Sequence, residues 1–204
     1  MSPLAALGLF LVVATPALAH HVGAYVPKDN AITANFKQIK FSVQAGRFDV
    51  ALRLFDTGPL RADLRARAAT LPPGLEVGLR AALAAGDGAE VERRLMVFFA
   101  ALARDLALEA ARQTADPTLS RDARTVIGQR FLEAIWRYYN LVDFAIAQRD
   151  DTTSVAARLA FDEAGGYVKS SGTADPDRLQ QPLRRIAQVL SALIESSTPA
   201  RRGS

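Results

Sequence analysis

The stretch Ser120–Arg149, SRDARTVIGQRFLEAIWRYYNLVDFAIAQR, constrains the fold more than any other part of the chain. From Phe131 to Ile146 it carries Phe, Leu, Ile, Trp, paired Tyr, Val and Phe again, with no Gly or Pro. An apolar surface that wide on an unbroken helix must be covered on most sides by other helices. Its polar stripe is Glu133, Arg137 and Asn140, spaced i, i+4 and i+7, with Asp143 at the margin. This reading puts the 120–149 helix at the centre and packs the rest of the chain around it. No segment sustains the period-two alternation of a half-buried strand. The expected fold class is all-α, an antiparallel helical bundle of roughly six to eight helices joined by short turns.

Composition narrows the function classes. Half of the 204 residues are hydrophobic, enough to bury a core in one domain. The net charge of +4 comes from arginines scattered along the helices, with no basic run interleaved with aromatics, so no nucleic-acid partner is expected. Cysteine is absent, which excludes disulfides, thiolate metal sites, iron–sulfur clusters and a cysteine nucleophile.

The N-terminus carries an export pattern. Leu4–Val13 is an apolar core, Thr15-Pro16 breaks it, and Ala17-Leu18-Ala19 is an A-x-A cleavage site, although no Lys or Arg precedes the apolar run. Residues 1–19 are expected to be a signal peptide, leaving a soluble, periplasmic mature protein. The competing reading is an uncleaved membrane anchor, but Met1–Ala19 is at the lower edge of spanning length and contains Pro16.

Beyond the leader, residues 20–168 read as one helical bundle domain. Residues 169–176 (KSSGTADP) read as a linker, 177–196 as an amphipathic helix packed on the bundle, and 197–204 as a disordered polar tail. Asn30 or Thr33 should cap a first helix bearing Phe36, Ile39 and Val43, ended by Gly46. A second carries Phe48, Ala51, Leu52 and Phe55 up to Gly58-Pro59, and a short Arg-rich helix fills Leu60–Leu71. Leu75, Leu79 and Leu83 mark the next. Asp87 and Glu90 have capping-box spacing before a long helix running to Thr114. Thr152 or Thr153 should cap a helix whose apolar residues are Val155, Leu159 and Phe161, closed by Gly165-Gly166, and Pro182 should kink the last helix or mark its first turn. Asp87, Val91, Arg94 and Leu95 recur in spacing as Asp151, Val155, Arg158 and Leu159, which reads either as two hairpins related by a two-fold or as chance.

Catalytic patterns are missing. Both histidines, His20 and His21, stand at the expected mature N-terminus, and neither G-x-S-x-G, a phosphate-binding loop, nor Glu-x-x-His occurs. A free α-amine beside two imidazoles makes His20 and His21 a candidate copper chelate, against the alternative of a solvated leader. It resembles, at that one position, the histidine brace of copper oxygenases. A candidate oxygen-rich internal metal site, for iron or another hard cation, would draw on Glu133, Tyr138, Tyr139 and Asp143, with Asp105, Glu109, Asp162 and Glu163 as further carboxylates. The competing readings are an i, i+4 ion pair between Glu133 and Arg137, arginine partners for Asp105 and Glu109, and tyrosines that belong to the core.

Two family resemblances add to this. Gly46-x-Phe48-x-x-Ala51-x-x-x-Phe55, within residues 33–57, resembles the turn and second helix of a tetratricopeptide repeat, without a further copy at 34-residue spacing. Residues 71–161, with their Ala/Leu/Arg helices, "GD" turn and tyrosine-bearing helix before an "RD" turn, are similar to the extracytoplasmic helical domains accompanying iron permeases of the FTR type. That resemblance implies an accessory role in iron handling without the permease's own transport motif. Two functional expectations follow. The first is an exported, non-enzymatic accessory protein handling a metal (iron or copper) or a small ligand. The alternative is a protein-interaction module docking on an envelope protein or membrane complex.

Overall fold

The structure is a computed structural model and describes residues 30–169 and 174–198. The described residues form eight α-helices and no strands: α1 Ala31–Gln44, α2 Phe48–Thr57, α3 Pro59–Ala66, α4 Leu75–Ala85, α5 Gly88–Thr114, α6 Arg121–Arg149, α7 Asp151–Val168 and α8 Gln180–Ser197. The fold class is all-α. The expected signal peptide and His20 and His21 lie outside the described residues.

Several boundaries follow capping chemistry. Asn30 caps α1 through a capping box in which its side chain accepts from the Thr33 amide at 2.9 Å and the Thr33 hydroxyl accepts from the Asn30 amide at 2.9 Å. Asp87 and Ser120 cap α5 and α6 in the same sense, accepting from Glu90 and Ala123 amides. The cap of α7 is a correction: Asp150, not Thr152 or Thr153, accepts from the Thr153 amide at 3.0 Å. Pro182 falls in the first turn of α8, where its missing N–H costs nothing.

The centre of the fold is α5, not α6. Nine consecutive residues of α5, Leu95–Ala103, are each no more than 3% exposed, so this segment is enclosed around its whole circumference. It packs on α6 and α8 along most of its length and on α4 and α1 nearer its start. In α6 only Gly128, Leu132, Ile135, Tyr139, Val142 and Ile146 are buried, while Phe144 is 66% exposed. The aromatic content of α6 therefore lies partly on its flanks.

Helices α5–α8 form a closed four-helix bundle in which each packs on two neighbours, α5 on α6, α6 on α7, α7 on α8 and α8 on α5. Gly128 lets α6 pass close to this core: a β-carbon there would come within 2.4 Å of the Leu179 side chain. The α7 face toward the bundle is built from Ser154, Ala157, Ala160, Phe161, Ala164 and Val168. Val155 and Leu159, two of the apolar residues that mark this helix in the sequence, are 47% and 62% exposed, and α7 runs through Gly165-Gly166, expected to close it, to Val168. The 64-residue echo therefore fails structurally, because its counterparts Val91 and Leu95 are buried.

A different internal correspondence emerges, forty residues apart. Gly46 and Gly86 both adopt the left-handed conformation, with φ of 70° and 71°. The Arg47 amide donates to Ser42 O at 2.8 Å, and the Asp87 amide to Ala82 O at 3.0 Å. Both turns are Schellman motifs, and glycine meets their positive φ without a steric penalty. The hairpins α1–α2 and α4–α5 are stacked, with α2 against α4 and the Phe48 ring 3.7 Å from where a β-carbon on Gly86 would sit. Asn35, 4% exposed, secures the α2–α3 corner by accepting from the Leu60 amide at 3.2 Å and donating to Leu54 O at 3.1 Å.

The chain after α7 is described at both ends of the expected linker. Pro176 is buried, and the Asp175 amide donates to Tyr167 O at 2.9 Å. Ser197, expected in the polar tail, is the last residue of α8 and is 3% exposed.

The centrality of α5 has a measurable consequence. Phe99→Ala should lower unfolding free energy by about 3–5 kcal/mol, because Phe99 is fully enclosed. Leu159→Ala, on the outer face of α7, should change it by no more than about 0.5 kcal/mol. Urea denaturation of the two variants checks the ranking.

Candidate functional site

Consecutive residues on a helix point about 100° apart, and Tyr138 and Tyr139 show the result. Tyr138 faces α1 and α5: its hydroxyl accepts from Asn30 Nδ2 at 3.4 Å, and its ring centroid lies 5.9 Å from that of Phe99. Tyr139 faces α7. It is fully buried, donates to Ser154 O at 3.4 Å, and its ring lies 5.2 Å from Phe161 and 5.8 Å from Trp136.

Asp143 is the polar centre of the α6–α7 contact. It accepts from the Ser154 hydroxyl at 3.2 Å and from Arg158, whose Nε lies at 3.2 Å and whose Nη2 completes a two-pronged ion pair. Burial alone would raise the carboxyl's pKa, but hydrogen bonds from Arg158 and Tyr139 outweigh it and hold the carboxyl below its ordinary value. Tyr139 responds oppositely, its burial pushing the phenol up to about 12.

The other sequence-selected residues lie elsewhere. Glu133 accepts from Gln129 at 3.4 Å and makes no ion pair with Arg137 among the described residues. The expected Glu133–Arg137 pair is thus corrected, and the buried Arg137 Nε has no hydrogen-bond partner. Asn140 is exposed. The stripe of α6 therefore does not converge with Tyr139 and Asp143 on one cavity. Asp105 is engaged by Arg104 at 2.7 Å, Glu109 by Arg112 and by Gln113 at 2.7 Å, and Glu163 by Arg185 at 2.7 Å, while Asp162 is exposed. Among the described residues no group of three or more His, Asp or Glu is placed to hold a metal ion. No described helix is long and apolar enough to cross a membrane.

What sequence reasoning missed is a cleft where the α1–α2 hairpin meets the bundle. It has a volume of about 290 Å³ and apolar walls from Phe36 and Val43 of α1, Val91 and Leu95 of α5, and Leu141, Val142 and Ala145 of α6. Lys40, Gln44 and Glu92 also line it, Gln44 and Glu92 exposed and Lys40 half-buried. The Lys40 ammonium lies 5.9 Å from the Phe36 ring centroid. The heptad spacing of Phe36 and Val43 signals an apolar α1 face. That α6 would supply the opposite wall was not readable, because it depends on how the hairpin docks. A second depression, about 580 Å³, is open and polar and runs along the surface of α8 past Arg178, Arg184 and Arg185.

In comparisons with known proteins the chain matches no protein-family model, no curated protein and no solved structure.

The Asp143 cluster yields a pH prediction. A native pKa below the ordinary 3.8 means that the unfolded state binds the proton more readily. The stabilisation is then present above that value and lost as pH falls through the lower native pKa. Asp143→Asn should cost about 1 kcal/mol at pH 7, and the gap to the unmodified protein should narrow steadily below about pH 4. Denaturation midpoints measured from pH 7 to pH 3 test this.

Proposed function

We propose that this chain is an exported, non-enzymatic binding protein that takes a small ligand in the cleft between α1, α5 and α6. The observation that carries this reading is the cleft itself: apolar walls from three helices around a volume of about 290 Å³, with only three polar side chains, Lys40, Gln44 and Glu92, in the lining. Concave apolar sites with few, placed polar groups are the usual form of ligand pockets. The polar clusters elsewhere in the bundle have structural partners: Asp143 holds α6 to α7, and the Asp105 and Glu109 carboxylates engage arginines on their own helix.

Export is supported by the apolar Leu4–Val13 run and the Ala17-Leu18-Ala19 site. Intact-mass measurement on protein recovered from an expressing bacterium should give a chain beginning at His20. A mass beginning at Met1 argues for an anchor instead.

The binding reading is tested with a neutral fluorescent probe, N-phenyl-1-naphthylamine. The full chain should bind it with one-to-one stoichiometry. Ala145→Trp, which places an indole in the cleft from a half-buried position, should abolish binding while leaving the circular dichroism of a folded all-helical protein.

A second reading, a protein-interaction module of the envelope, is supported by the stacked hairpins α1–α2 and α4–α5. Probe binding that survives Ala145→Trp would favour it over the cleft.

A further inference from the structure

We infer that the ligand of the α1–α5–α6 cleft is a free apolar α-amino acid, its side chain inside and its ammonium and carboxylate at the edge. This inference rests on the proposed binding function and names its ligand class. Size comes first. At about 290 Å³ the cleft is just below the roughly 300–1,000 Å³ typical of ligand pockets, which suits a small molecule.

The charges decide the class. Lys40 of α1 and Glu92 of α5 both line the cleft, and no ion pair joins them to each other or to any other described residue. Neighbouring charges on α5 are handled differently: Glu90 is held by Arg93 at 2.5 Å and Arg94 at 2.6 Å, and Arg104 by Asp105 at 2.7 Å. Lys40 is half-buried, with its ammonium 5.9 Å from the Phe36 ring centroid, whereas Glu92 is exposed.

A purely anionic ligand would engage Lys40 and leave Glu92 unused, and a purely cationic one would engage Glu92 and leave Lys40 unused. A neutral apolar ligand would use neither charge. A zwitterion answers the pair. Its carboxylate meets Lys40, its ammonium meets Glu92, and the Gln44 amide at the same edge can donate to or accept from the polar end. The side chain then packs among Phe36, Val91, Leu95 and Val142. Two oppositely charged residues on separate helices thus select a head group that carries both charges.

The test is calorimetric titration of the full chain with L-leucine and L-phenylalanine. In parallel it uses 4-methylpentanoate, which lacks leucine's ammonium, and 3-methylbutylamine, which lacks its carboxylate. At least one amino acid should bind one-to-one, with each single-charge analogue weaker by about tenfold or more. Lys40→Met and Glu92→Gln should each weaken amino-acid binding about tenfold while keeping the circular dichroism of a folded helical protein. Glu92→Gln should also erase the preference for leucine over 4-methylpentanoate. Equal binding of leucine and 4-methylpentanoate by the unmodified chain would overturn the zwitterion assignment. So would a cleft that takes the naphthylamine probe, loses it with Ala145→Trp, and binds neither amino acid. In that last case the binding reading stands and only the ligand class falls, whereas failure of the probe as well removes both.

Discussion

The fold depends on the complete desolvation of the middle of α5. A helix segment that is apolar around its whole circumference is stable only if every side is covered at once. One side is closed by α4 and α1, the rest by α6 and α8, so the two halves of the chain share a single central element. Alanines at 100, 101, 103, 107, 110 and 111 let the neighbours approach closely, since each adds almost no bulk. The large side chains do the joining. Phe99 stacks edge-on to Phe98 at 5.0 Å and to Phe36 of α1 at 4.7 Å, and it meets Tyr138 of α6 at 5.9 Å. A single ring thereby ties the first hairpin to the bundle.

Local signals in the sequence translated well, because they depend on groups a few residues apart. Asn30, Asp87 and Ser120 cap the helices that they precede, and Pro182 sits where a helix tolerates it. The choice of centre did not translate. Aromatic residues dominate any reading of periodicity whether they end in a core or on a flank, so α6 looks more interior than it is. Alanine weighs little in such a reading, yet α5 owes its full enclosure to it. The same bias displaced the buried face of α7, where Val155 and Leu159 outweigh Ala157 and Ala160 in hydropathy but point outward.

The candidate site was less legible than the fold. That Tyr138 and Tyr139 cannot serve one site follows from helix geometry alone, since neighbours diverge by about 100°. The pairing of Asp143 with Arg158 could not be read in advance, because it requires the angle at which α7 leaves Asp150. The cleft has no local signature either. Its walls are seven apolar residues from three helices, each unremarkable in its own segment, and it exists only because a hairpin meets a bundle at a shallow seam.

Phe48 lines none of that cleft, yet it packs behind the cleft's wall. Its ring lies 3.6 Å from where a β-carbon on Gly88 would sit, and Val43 lies 3.5 Å from the same point. Val43 and Gly88 are themselves part of the cleft wall. Phe48 therefore acts as a shim between the two glycine turns. A smaller residue there would let the first hairpin settle toward the second and narrow the opening. A bulkier one would hold it wider. The width of the cleft is thus set in part from a position outside its lining, so a substitution at the start of α2 can reshape a wall it does not belong to.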